Sequence, residues 1–452
     1  MIPERIKKPL PKMKLPSGTG VQIEGWTKEA GSYTAQNGFE DLDEIQTDLS
    51  DLIKTNRTQK LKDAVRIAQE KGLFKDRKVK NIILMIGDGM GESHLKGSRH
   101  FYGPLFMDEL PYYRSATTDC LPYNVNDNVC DDDVVYSGET DNGDRLLVTD
   151  SSAGGTAILC GERTRYGYIG LDKDGHEIKN LSELARERGM FVGVVTNDHI
   201  GDATPACALV HDKAREHEEL IYEKEFKFKP DLLLGADCGI RQYVESEEGK
   251  AAGMKGYETF PQMCNGEKEC GYKNKEISFW DGNFAEYEEN TPAGFNMGKN
   301  DELPTFPELV AFTLTSMDHK AKANNDCGFF CMIENTCCDG WGHAQQVPQI
   351  FNEVQCFDEG VAIAAKFVLE NPDTLLVVTA DHENADLHFR KNWEDDYTRI
   401  ISMDSGHSAQ PVPVIAFGAG AELKFQERSL GVTVENFQTG RDIIWLLKNI
   451  HK

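Results

Sequence analysis

Six short apolar runs, each closed by polar or turn-forming residues, constrain this chain more than any other feature: NIILMI (81–86), FVGVVT (191–196), DLLLGA (231–236), GFFCMI (328–333), TLLVVTA (374–380) and PVIAFG (413–418). Runs of this length without polar alternation read as strands covered on both faces, the condition of strands in a parallel sheet. Helical patterns lie between several of them, notably NLSELARERG (180–189) and the stretch from Phe351 to Leu369. The alternation predicts an α/β fold with a doubly wound, mostly parallel central sheet and helices on both faces. Such sheets gather their ligands beyond the carboxyl ends of the strands.

At 452 residues the chain is long enough for one large α/β domain with insertions. Residues 1–75 start rich in Pro and Lys and turn helical in pattern from about Asp48 to Gly72, so they read as an N-terminal arm before a main domain over 76–452. Two stretches break the alternation, the Asp/Asn-rich 119–144 and the Gly/Glu/Lys-rich 241–322, and read as insertions at the sheet edge or rim. Acidic residues outnumber basic ones 75 to 49, a net charge of −26 that repels phosphate backbones and anionic head groups. No nucleic-acid partner and no membrane surface is expected. No stretch of eighteen apolar residues predicts a membrane span, and the start, MIPERIKKPLPKMK, has no apolar segment of a signal peptide behind it. The expectation is a secreted or periplasmic protein if the numbering is that of a mature form, and a cytoplasmic one otherwise. Twelve cysteines are too few for a disulfide scaffold. Cys120 with Cys130 and Cys264 with Cys270 lie in polar, loop-like stretches and can pair or stay reduced, whereas Cys160, Cys207 and Cys331 sit in apolar runs and read as buried thiols.

The ends of the strands carry the chemistry. NIILMI runs into Gly87-Asp88-Gly89, GFFCMI into Glu334, and TLLVVTA into Asp381-His382, each setting an ionisable side chain where ligands bind. Asp339 and His343, four apart, face the same way on a helical turn and can grip one ion, though that spacing alone is weak evidence. His407, in a polar turn before the last apolar run, is uninformative by itself. Ser151 opens a run of small residues leading into a helical pattern, where a Ser is a helix cap by default and a nucleophile as an alternative. Asp202 and Thr204 follow the FVGVVT run, and Arg215 after them is either an oxyanion ligand or a solvated surface residue on a helix.

In this order, NIILMIGDGMG, VTDSSAGGTA, DATPA followed by Arg215, IENTCCDGWGH, VTADHEN and SGHSAQPVPV resemble the alkaline phosphatase family over most of the chain from about Asn81 to Ala421. The resemblance implies a metal-dependent phosphomonoesterase with two zinc ions and one magnesium ion per subunit, most active at alkaline pH, and usually a homodimer. Ser151 would be the nucleophile of a covalent phosphoserine intermediate, with Asp88, Asp381 and His382 holding the ion that activates it. Asp339, His343 and His407 would hold the second zinc. Thr204 and Glu334, with Asp88 bridging, match the third site, and Asp202 matches members whose carboxylate there favours magnesium. Arg215 matches the arginine that grips the phosphate, and the helix N-terminus after Ser151 would add donors. One departure stands out: many members have Lys, His or Trp directly after the Asp matched by Asp339, and here Gly340 stands there with Trp341 next. The runner-up is a phosphodiesterase or nucleotide pyrophosphatase of the same superfamily; those lack the third-site residues and usually the arginine. A non-catalytic acidic protein that stores or senses cations is the reading from another class.

Overall fold

The computed structural model describes residues 57–123, 135–236 save position 141, and 304–449 save 396–398, with short pieces at 23–24, 26–29, 32–35, 246–247, 250, 255–257, 260–269 and 278–281. Among the described residues, ten strands form the central sheet: β1 (Asn81–Gly87), β2 (Tyr112–Thr117), β3 (Phe191–His199), β4 (Leu232–Ala236), β5 (Lys255–Tyr257), β6 (Ser278–Asp281), β7 (Phe329–Asn335), β8 (Thr374–Thr379), β9 (Val412–Gly418) and β10 (Thr433–Glu435). Their spatial order is β5-β6-β4-β3-β7-β1-β8-β9-β2-β10. β1 lies between β7 and β8, parallel to both, with Glu334 opposite Ile86 and Thr379 opposite the same residue on the other side. The carboxyl ends of β7, β1 and β8 therefore finish side by side, and the acidic residues that follow them are brought together by register alone.

The helices that matter for the site are α1 (Arg57–Glu70), α2 (Glu92–Tyr102), α3 (Ser151–Cys160), α4 (Ala203–Leu209), α5 (Phe306–Ala323), α6 (Cys337–His343), α7 (Val347–Glu370) and α8 (Asn436–Asn449). α5 packs on β3 and on α7, and α1 packs on α7, so residues 57–70 of the expected arm are bound to the main body. Residues 48–56, the start of the expected helix, lie outside the described residues.

One expectation changes. The run at 413–418 is a strand, but β9 pairs antiparallel with β8 and with β2. Residues 380–411 between β8 and β9 hold, among the described residues, short strands and one 3-10 turn, and no α-helix that would carry the chain back for a parallel return. The region 241–322 holds sheet strands β5 and β6 at the sheet edge and the buried α5. Strand β2, YYRSAT, has no apolar alternation because its inward positions are Arg114 and Ala116, and Arg114 is buried by an ion pair. Within 119–148, Asp119–Cys120, Tyr136–Glu139 and Arg145–Val148 form a separate three-stranded antiparallel sheet that meets α3 where Cys120 and Leu147 pack on Ala153. Cys120 sits in a strand and Cys264 in a helix, both buried as free thiols, while Cys130 and Cys270 lie outside the described residues.

Candidate active site

Asp88 follows β1 in a turn whose next residue, Gly89, has φ +68; a Cβ there would meet the Asp339 backbone at 2.7 Å. Glycine is required both for the left-handed backbone and for the close approach of the two loops. The Gly89 N–H donates to Asp381 Oδ1 at 3.2 Å and the His382 N–H donates to the same oxygen at 3.0 Å. Asp381 is thereby fixed with its other oxygen turned toward His382 Nε2, 3.2 Å away, and Asp88 Oδ1 stands 3.4 Å from the same nitrogen. Ser151 Oγ is 3.1 Å from His382 Nε2. One hydroxyl, two carboxylate oxygens and an imidazole nitrogen converge on a single point.

The cap of α3 is Asp150, not Ser151: its carboxylate accepts from the N–H groups of Ser152 and Ala153. Ser151 is thus the first helical residue, and its side chain is released toward His382. The same arrangement overturns one expectation, because the helix N–H groups at Ser152 and Ala153 are spent on Asp150 and do not face a phosphate. Asp150 Oδ2 also lies 3.6 Å from Arg215 Nη1, and Arg215 Nη2 donates to Asp202 Oδ1 at 2.9 Å. Arg215 sits in a turn after α4, not on a helix, and the two carboxylates hold its protonated form strongly against the pull of burial.

On the neighbouring side, Asp339 on α6 meets His343 Nε2 at 3.2 Å and His407 Nε2 at 3.5 Å. His407 is set by the short hairpin that pairs it with Asn384, its Nδ1 against the Thr149 carbonyl at 2.9 Å; His343 Nδ1 lies 2.6 Å from the Ser405 carbonyl. Among the described residues, two trios have ligand atoms all within 4.8 Å of one another: Asp88, Asp381 and His382, and Asp339, His382 and His407. His343 joins the second through Asp339. The His382 and His407 rings stack at 3.6 Å, which places the two clusters in contact. Glu334, at the end of β7, accepts from Thr196 Oγ1 at 2.7 Å, with Thr204 and Asp202 beside it. All eleven residues singled out in the sequence fall in this one region.

The electrostatics are those of a site built for cations. Burial, then Asp381, pushes Asp88 well above the usual carboxylate range; burial, then Asp202, does the same to Glu334. Asp381 is raised by burial and Asp339 to about 7. Burial opposes the ionisation of Asp339 too, but hydrogen bonds from His343 and His407 outweigh it, and Asp339 in turn lifts His343 to about 9. Burial drives His382 strongly toward its neutral form, the state in which imidazole ligates a metal. Asp88 Oδ1, Asp381 Oδ2, Glu334 Oε1 and Thr204 Oγ1 are all buried without a hydrogen-bond donor. Buried oxygens so placed are costly unless a cation satisfies them. The nitrogen and carboxylate sets suit zinc, and the all-oxygen set of Glu334, Thr204 and Asp88 suits magnesium.

Sequence reading missed Asp150, Glu383 and Asn384. Asn384 Nδ2 donates to both the side-chain and backbone oxygens of Asp339. An Asp directly before a small-residue helix start was a legible cap signal; the other two act through tertiary contacts. Trp341, next to Gly340, turns into an apolar cluster with Val347, Ile350 and Phe351, so no side chain follows Asp339 into the site.

The alkaline phosphatase family model matches residues 79–228 and 287–393, more than half of the chain. Alkaline phosphatase 3 of Bacillus subtilis is 30% identical over 327 residues, 70% of this chain and 63% of that protein, so the chain spans under two thirds of this relative's length. Alkaline phosphatase from the Antarctic bacterium TAB5 is similar in fold, with a TM-score of 0.61 at 24% identity over 82% of this chain and 98% of that one. A histidine-to-aspartate variant of the TAB5 enzyme, with magnesium bound in its M3 site, aligns with a TM-score of 0.59 at 25% identity over 82% of this chain and 99% of that one. Matching motifs, fold and a metal-ready cluster at the sheet's carboxyl edge agree: this chain belongs to the alkaline phosphatase family.

Proposed function

We propose that this protein hydrolyses phosphate monoesters through a covalent phosphoserine at Ser151, in a site loaded with two zinc ions and one magnesium ion. The observation that carries the reading is the convergence of Ser151 Oγ, His382 Nε2 and the oxygens of Asp88 and Asp381 within 3.1–3.4 Å of that nitrogen. Asp88, Asp381 and His382 would hold one zinc; Asp339, His343 and His407 the other; Glu334, Thr204 and Asp202, with Asp88 bridging, the magnesium. When bound, the cations supply Lewis-acid stabilisation of attacking and leaving oxygens.

The chain's own residues do the rest. Ser151 Oγ attacks phosphorus, forming an Oγ–P bond as the ester P–O bond breaks and the alcohol leaves; water then cleaves the Oγ–P bond and releases inorganic phosphate. Arg215, anchored by Asp150 and Asp202, presents its free N–H groups to the non-bridging oxygens, whose charge grows toward the transition state. His382, kept neutral, never competes as a cation with the metals. Because Ser151 reacts as an alkoxide, activity should rise from pH 7 toward 10. The family also makes a homodimer the expected assembly.

Steady-state hydrolysis of an aryl phosphate monoester and the matching diester over that pH range tests the reading, with chelator followed by zinc and magnesium. Metal-restored monoesterase activity supports it. Diester preference would mean that Arg215 or the third site does not serve phosphate as argued, and no turnover on either would leave a cation-binding protein.

A further inference from the structure

Glu383 follows His382 directly, is wholly buried, and belongs to neither metal trio. Its carboxylate accepts from four donors on three separate segments, with His94 beside it. Oε1 accepts from Ser93 Oγ at 2.8 Å and from the Leu387 N–H at 3.3 Å, and lies 3.2 Å from His94 Nε2; Oε2 accepts from Ser408 Oγ and from the Asp386 N–H at 3.2 Å. Ser93 and His94 open α2, four and five residues beyond Gly89 in the loop that carries Asp88. Ser408 adjoins His407, and Asp386 and Leu387 close the left-handed turn at Ala385 (φ 73) and Asp386 (φ 42). That backbone is unfavourable for residues with a Cβ and persists only where the surroundings hold it. The hairpin is tied further by its own backbone: the Asn384 N–H donates to the Gly89 carbonyl at 3.1 Å, and His94 Nε2 lies 2.8 Å from the Asn384 carbonyl. A Cβ at Gly91 would meet Glu383 Cγ at 2.1 Å, so the loop after Asp88 is laid directly on this side chain.

We infer that Glu383 is the positioning residue of the site: through Ser93, His94 and Ser408 its carboxylate clamps the Asp88 loop, the Asp381-His382 segment and the His407 hairpin into the register in which they bind cations. The inference rests on the metal-dependent reading above. Residues behind first ligands are worth about 10–100-fold in metal affinity. Glutamine at 383 keeps the shape but turns an NH₂ toward a backbone N–H at Asp386 or Leu387, so the clamp loses part of its donor set whichever way the amide sits.

The test is zinc affinity of the full chain, read by competition against a chromophoric chelator and thus without turnover, for the wild type, Glu383→Gln and Ser93→Ala, with circular dichroism to verify folding. Glu383→Gln is expected to bind zinc about 10–100-fold more weakly, and to regain its kcat when zinc is raised to saturation. Wild-type zinc affinity in folded Glu383→Gln overturns the assignment and leaves the phosphatase reading intact. If Glu383→Gln does not fold, Ser93→Ala, which removes one donor, decides: several-fold weaker zinc binding supports the clamp and unchanged binding overturns it. A wild type that binds no zinc overturns the functional reading itself, and the clamp with it.

Discussion

Two regions of this protein bury charge and treat it in opposite ways. Where α8 lies against β2, Arg114 is 1% exposed and pairs with Asp442 at 2.8 Å, with Thr439 Oγ1 at 3.2 Å as a further partner. Every charge there has its counter-charge, and the arrangement joins two elements. At the carboxyl ends of β1, β7 and β8, Asp88, Glu334 and Asp381 face one another with oxygens that have no donor. Self-assembly of like charges is unfavourable, so that region is stable in its ionised form only when something positive is added. One residue on from His382, Glu383 shows the contrast within a single turn: despite burial, hydrogen bonds from His94, Ser408 and Ser93 hold it below the usual carboxylate range. Glu383, with its donors supplied, holds structure together, whereas Asp88, Glu334 and Asp381, short of donors and gathered at one sheet edge, form the candidate cation site.

Metal removal should break this contrast most visibly. Chelation should abolish turnover and remove the stabilisation that ligands confer, about 4 kcal/mol at a thousandfold excess over Kd. The metal-free protein should then lose stability as pH rises. Asp381, at about 7 in the fold against 3.8 ordinarily, stabilises the folded state fully below pH 3.8 and ceases to as pH passes 7. His343, at about 9 against 6.5, contributes fully below 6.5 and is lost as pH passes 9. Melting curves of chelated and metal-loaded protein from pH 4 to 9 check this, and a chelated protein equally stable throughout would remove the distinction between the regions.

Ser151→Ala should lower kcat by on the order of 10³-fold or more, with no phosphate retained on the protein in acid-quenched reactions; full activity would refute the nucleophile. Asp442→Ala, in the paired region, should cost about 3–5 kcal/mol by stranding Arg114. Activity per folded molecule should hold, and denaturant unfolding beside kcat separates the two. Arg215→Ala should lower kcat/KM by about 10–10²-fold, the worth of about 1.5–3 kcal/mol for charged hydrogen bonds. Its melting temperature should fall as well, because the buried Asp150 loses its counter-charge, and pH-stat kinetics per folded molecule beside calorimetry separate the two effects.

Much of this was legible before any coordinates. The six apolar runs are all strands of the sheet, because strands buried on both faces must be continuously apolar, and the acidic residues after them mark its active edge. Strand β2 escaped because an ion pair, not an apolar side chain, occupies its inward face, and β5, β6 and β10 because three or four residues carry too little periodicity. The direction of β9 was illegible for a different reason: its composition reports burial, and burial is the same for either orientation.

The sequence by itself determined the fold class, which follows from local periodicity, and the order along the chain of the motifs that resemble the family and carry the candidate ligands and nucleophile. Tertiary structure alone decided that Arg215 is held between Asp150 and Asp202, and that Glu383 gathers Ser93, His94 and Ser408. Those roles depend on which side chains meet across gaps of 13 to 290 residues, and a hydrogen bond between such positions leaves no periodic trace in either segment.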